Sequence, residues 1–115
     1  MIIPTTVYKV LFFTALCSIT ILAFLPNYNA LPKLLSFSDL LNHTIAFVTL
    51  SFLLQKSYKT LTNTNAFTLL FVYAVGIEVV QHFLPTRVAS LSDIVADVTG
   101  ILLGFVILKF LKHYA

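Results

Sequence analysis

The stretch Ala66–Leu84, AFTLLFVYAVGIEVVQHFL, decides what kind of molecule this is. It carries one charged residue, Glu78, and stops before Pro85. At about 1.5 Å per residue a helix of this length matches a hydrocarbon core of roughly 30 Å. Working outward, three more apolar runs follow the same pattern. Downstream lies Asp93–Leu111, DIVADVTGILLGFVILKFL, and upstream the shorter Asp39–Leu54, DLLNHTIAFVTLSFLL. Val7–Leu25, VYKVLFFTALCSITILAFL, ends at Pro26. An open strand in lipid leaves its backbone groups unpaired, so each run reads as a helix.

The composition of the whole chain agrees. Among its 115 residues, 59% are hydrophobic and 10% charged, with a mean hydropathy of +0.99. Soluble domains have roughly 45–50% apolar and about 25% charged residues. A domain this small needs many polar groups to cover its surface in water, and this chain lacks them. A soluble enzyme, a disordered tail and a disulfide scaffold are excluded, the last also because Cys17 is the single cysteine. The expected fold is an all-α integral membrane protein, a small bundle of four transmembrane helices, forming one domain over 1–115. No small-residue cleavage site follows the first run, so it is expected to stay in the membrane as a helix.

A net charge of +3 raises the question of nucleic acid, but no basic stripe interleaved with aromatics exists. Lysines on cytoplasmic loops explain the charge instead. With four spans, Lys9, Lys56, Lys59, Lys109 and Lys112 share one side, while Lys33 and Arg87 occupy the other. This bias places both termini in the cytoplasm.

The four acids, Asp39, Glu78, Asp93 and Asp97, all fall toward the opposite side. His43, Gln81, His82 and Arg87 gather at the same depth, which suggests one site. Simpler readings exist for several members. Asp39 and Asp93 complement helix N-termini, and Ser90 with Asp93 fits a capping box. His43 and His82 fit interfacial histidines, Gly100 and Gly104 have the spacing of helix packing, and Tyr73 and the phenylalanines serve as filler or face lipid. Glu78 and Asp97 resist such readings. Each interrupts an apolar run, where a charge costs roughly 2.5–3.5 kcal/mol on insertion scales, so each is expected to face the bundle interior at a functional site. Glu78 shares a face with Gln81, and Asp93, Asp97, Gly100 and Gly104 form one stripe. Arg87 is expected to pair with Asp93 or Asp97.

Two motifs resemble those of the VanZ-like membrane family. Asp39-Leu-Leu-Asn-His43-Thr-Ile-Ala-Phe47 is similar to its D-K-x-x-H-x-x-x-[YF] segment. The run from Glu78 through Gln81, Phe83, Pro85, Arg87, Ser90, Asp93 and Asp97 to Gly100 and Gly104 resembles its signature E-x-x-Q-x-F-x-P-G-R-x-x-S-x-x-D-x-x-x-N-x-x-G-x-x-x-G. The resemblance covers roughly Asp39–Gly104. It implies a bacterial cytoplasmic-membrane protein, in a family whose name comes from a member linked to glycopeptide (teicoplanin) resistance. Leu40 stands where the family has Lys, Thr86 where it has Gly, and Asp97 where Asn is common. The first and last changes make this site more negative, which favours a cation-dependent role.

Three functions remain open at this level. One is a cell-envelope protein whose outward pocket binds a polar or lipid-linked head group through Asp39, His43, Gln81, Arg87 and Ser90. Another is an enzyme in which Glu78, Asp93 and Asp97 perform acid–base hydrolysis or transfer, or hold a divalent metal together with His43. The third is a structural partner of another membrane protein. No established catalytic motif is present, and no cofactor is assigned.

Overall fold

The structure, a computed structural model, describes residues 3–24, 39–84 and 91–114. Within them the chain forms four helices: α1 (Thr5–Ala23), α2 (Asp39–Ser57), α3 (Asn63–His82) and α4 (Leu91–Tyr114). No strand occurs among the described residues. Each helix begins or ends a few residues away from its apolar run, because hydropathy marks the lipid-facing centre and not the polar flanks. At α3, Thr62 accepts a hydrogen bond from the Asn65 backbone N–H at 3.1 Å, starting the helix three residues before Ala66. At the end of α2, Gln55, Lys56 and Ser57 continue the helix past Leu54.

α1, α3 and α4 are long and apolar enough to cross a membrane. α2 has the same length as α1, but Asn42, His43, Thr44, Ser51 and Gln55 lower its hydropathy. It is the central helix, packed against α1, α3 and α4. Polar groups on its inner faces are thereby kept from lipid.

Burial is inverted relative to a soluble protein. Val10, Ile21, Leu69, Val72, Val95 and Phe110 are exposed, whereas Ser51, Glu78, Gln81, Asp93 and Asp97 are buried. Such a surface has lipid as its solvent. Exposed hydroxyls conform to this: Thr49, Thr68 and Thr99 each donate to the carbonyl four residues earlier, at 3.0, 2.9 and 2.8 Å. The core contains Phe12, Phe47, Leu50, Leu54, Leu70 and Ile101, together with the fully buried Ala66 and Ala74.

Helix directions follow from contacts. Lys9 Nζ lies 4.9 Å from the Tyr58 ring centroid, joining the start of α1 to the end of α2. Gln81 Nε2 donates to the Ala23 carbonyl at 2.8 Å, joining the ends of α3 and α1. Ser51 Oγ donates to the Ile101 carbonyl at 3.0 Å, and Thr44 Oγ1 to that of Ala96 at 3.4 Å, so α2 and α4 run parallel. All five described lysines therefore cluster at one end of the bundle, and Glu78, Asp93 and Asp97 lie toward the other.

The α2–α4 interface is the most extensive in the bundle, although these helices are not neighbours in sequence. Gly100 and Gly104 make it possible. A Cβ on Gly100 would meet the Thr44 carbonyl oxygen and sit 2.9 Å from Phe47 Cβ; one on Gly104 would sit 2.6 Å from Ser51 Cβ and Oγ. Backbone meets backbone there, as small-residue spacing allows in membranes. Gly76 has open space where its Cβ would be. Gly104→Ala should therefore destabilise the protein by about 1–3 kcal/mol through overpacking. The same change at Gly76 should be neutral or stabilise by about 0.5–1 kcal/mol. Equilibrium unfolding in mixed detergent micelles measures both, and equal effects at the two sites would contradict this packing.

Candidate functional site

Three helices bring the site together at the end away from the lysines. α2 supplies His43 just after its first turn. α4 supplies Asp93 in its first turn and Asp97 one turn later, on the same face as Gly100 and Gly104. α3 supplies Glu78 near its end. The glycines draw α4 onto α2 one turn from Asp97, which brings this carboxylate into contact with His43.

His43 is the centre. Its Nδ1 lies 2.7 Å from Asp97 Oδ1, and its Nε2 lies 3.8 Å from Asp93 Oδ2. The first distance is a hydrogen bond; the second is too long for one. With Nδ1–H donating to Asp97, the Nε2 lone pair faces Asp93. Glu78 approaches from α3, and one donor atom from each of His43, Glu78 and Asp93 lies within 4.8 Å of the others. Asp97 is fully buried, and Glu78 and Asp93 are each 6% exposed. Asp97 Oδ2 is buried without a hydrogen-bond partner among the described residues.

Glu78 also lines a groove of about 390 Å³ between α3 and α4, whose other walls are mainly Val75, Val79, Phe83, Leu91 and Ile94. His82 lies in the same groove and packs edge-on against Phe83, with ring centroids 5.3 Å apart. The groove thus joins one buried carboxylate to a largely hydrocarbon wall.

Of the residues singled out from sequence, His43, Glu78, Asp93 and Asp97 come together. Gln81 is 2% exposed and directs its amide nitrogen to the last turn of α1. Arg87, Ser90 and the side chain of Asp39 lie outside the described residues. The expected pairing of Arg87 with Asp93 or Asp97 therefore has no geometry here, and Asp97 Oδ1 is held by His43. Tyr73 is more than filler. Its hydroxyl bonds Thr20 Oγ1 and donates to the Leu16 carbonyl at 3.4 Å, tying α3 to α1. The hydroxyl of a tyrosine inside an apolar run was the signal, because lipid offers it no partner.

These features define a helical membrane protein with a buried carboxylate–imidazole site. A family model described as VanZ/LLP1 matches residues 2–112. The chain belongs to the VanZ/LLP1 family, and the match takes in α1 as well as the Asp39–Gly104 region that carries the motifs. No curated protein and no solved structure matches it.

If His43 and Asp97 form one unit, their substitutions should be strongly non-additive. His43→Ala and Asp97→Ala should each cost about 1–3 kcal/mol, since each leaves a buried partner unsatisfied. A double-mutant cycle by detergent unfolding should return a coupling energy of about 0.5–3 kcal/mol. Strict additivity would show that the 2.7 Å contact does not contribute to stability.

Proposed function

We propose that this is a bacterial cell-envelope membrane protein whose buried acidic site binds the polar head group of a lipid-linked envelope component. One observation carries this reading: Glu78 belongs both to the polar cluster with His43 and Asp93 and to the mainly apolar groove between α3 and α4. An amphiphile has the same two parts. Its head group meets the carboxylates and imidazole, and its chain lies along Val75, Val79 and Ile94, continuous with the surrounding lipid. A mainly apolar cleft with a few fixed polar groups is the usual design of a ligand site.

On this reading the site end faces outward, and the lysine-bearing end with both termini lies in the cytoplasm. Lys9, Lys56, Lys59, Lys109 and Lys112 support this orientation. The membrane is the bacterial inner membrane. A cysteine placed at Lys56, in a Cys17→Ser background, should resist an impermeant thiol reagent added from the periplasmic side and react after permeabilisation. Labelling of intact cells would reverse the topology.

The head-group reading is tested by mass spectrometry of amphiphiles that copurify with the chain from bacterial membranes. Wild type should retain a specific polar amphiphile, and Glu78→Gln should reduce it at least tenfold while preserving the fold. Gly76→Ala should leave it unchanged. Identical profiles for wild type and Glu78→Gln, dominated by bulk phospholipid, would refute the proposal.

A further inference from the structure

The geometry points to a divalent transition-metal site formed by His43 Nε2 and the carboxylates of Glu78 and Asp93, with Asp97 as the positioning residue behind His43. The inference rests on the reading that this cluster is the binding site, and adds the ion through which a head group is held.

Distances are the first support. Ligand bonds of about 2.0–2.2 Å place neighbouring donors on one ion roughly 3–4 Å apart. His43 Nε2 and Asp93 Oδ2 are 3.8 Å apart, too far for a hydrogen bond and suited to two ligands of one ion. The three donor atoms lie within 4.8 Å of one another, so small side-chain rotations bring all of them to coordination distance.

Asp97 provides the second support. Metal-bound histidines almost always donate their other ring N–H to a carboxylate or carbonyl, which fixes the tautomer and aims the free lone pair. Asp97 Oδ1 takes this role at 2.7 Å from Nδ1. Its other oxygen, Oδ2, is buried with no hydrogen-bond partner among the described residues. When Asp97 is ionised, its fully buried carboxylate is hydrogen-bonded through one oxygen only, and a cation bound to the adjoining imidazole offsets its charge.

The donor set narrows the ion. One imidazole with two carboxylates suits zinc or manganese, whereas magnesium and calcium sites are built from oxygen. Three protein ligands leave a coordination position open. Because Glu78 also lines the groove, an anionic oxygen of a head group, such as a phosphate oxygen, can take that position. Without a cation, these carboxylates would repel such a group.

The test uses the full chain in detergent, stripped with chelator, dialysed and titrated with Zn²⁺ or Mn²⁺. Elemental analysis and calorimetry should give about one ion per chain for at least one of the two metals. His43→Ala and Glu78→Gln should each weaken binding at least tenfold. Asp97→Asn should weaken it about 10–100-fold, as expected for loss of the group that orients a ligand. Thr68→Ala, on the exposed face of α3 and outside both groove and ligand set, should bind as wild type does, and circular dichroism should show every variant folded. Absence of stoichiometric binding, or binding insensitive to His43→Ala and Glu78→Gln, overturns the metal site. Copurification separates this from the head-group reading. An amphiphile retained by chelator-treated protein that binds no metal would sink the metal site alone. Stoichiometric, His43-dependent metal without any specific amphiphile would sink the head-group reading alone.

Discussion

Everything at the site depends on how closely α4 approaches α2. In lipid, apolar surface supplies little force to hold helices together, so the interface relies on backbone proximity and on hydrogen bonds between helices. Gly100 and Gly104 let the two backbones meet, and Ser51 and Thr44 bridge them through the carbonyls of Ile101 and Ala96. Asp97 is three residues before Gly100 on the same face of α4. The small residues that create the interface therefore also set the depth at which this carboxylate reaches His43.

That coupling accounts for polar residues being buried in a protein whose outer surface is hydrocarbon. Glu78, Asp93 and Asp97 come from two helices and surround an imidazole from a third. The arrangement keeps charge away from lipid while leaving Glu78 at the edge of the α3–α4 groove. Gln81 and Tyr73 act differently, joining α3 to α1 through the Ala23 and Leu16 carbonyls and Thr20. α1 is thus tied to α3 along its length by polar contacts.

Much of this was legible along the chain, for reasons specific to membranes. A run such as Ala66–Leu84 can only be helical in lipid, and a lone Glu78 within it can only face inward. Helix ends were less legible, because Thr62 caps α3 among polar residues that hydropathy does not see. The ring of Tyr73 packs against the core as filler does, but composition does not show the partner of its hydroxyl. Gln81 shares a face with Glu78, and spacing alone gave no hint that its amide reaches the end of α1.

The sequence by itself determined an all-helical membrane chain with five of its six lysines at one end and its acids at the other. Those properties follow from period, length and the cost of charge in hydrocarbon, each of which acts on a segment alone. Only the tertiary structure decided that α2 pairs in parallel with α4, that His43 binds Asp97 while facing Asp93, and that Glu78 joins them from α3. Such choices depend on which backbones fit together at Gly100 and Gly104, a property of two surfaces far apart in sequence.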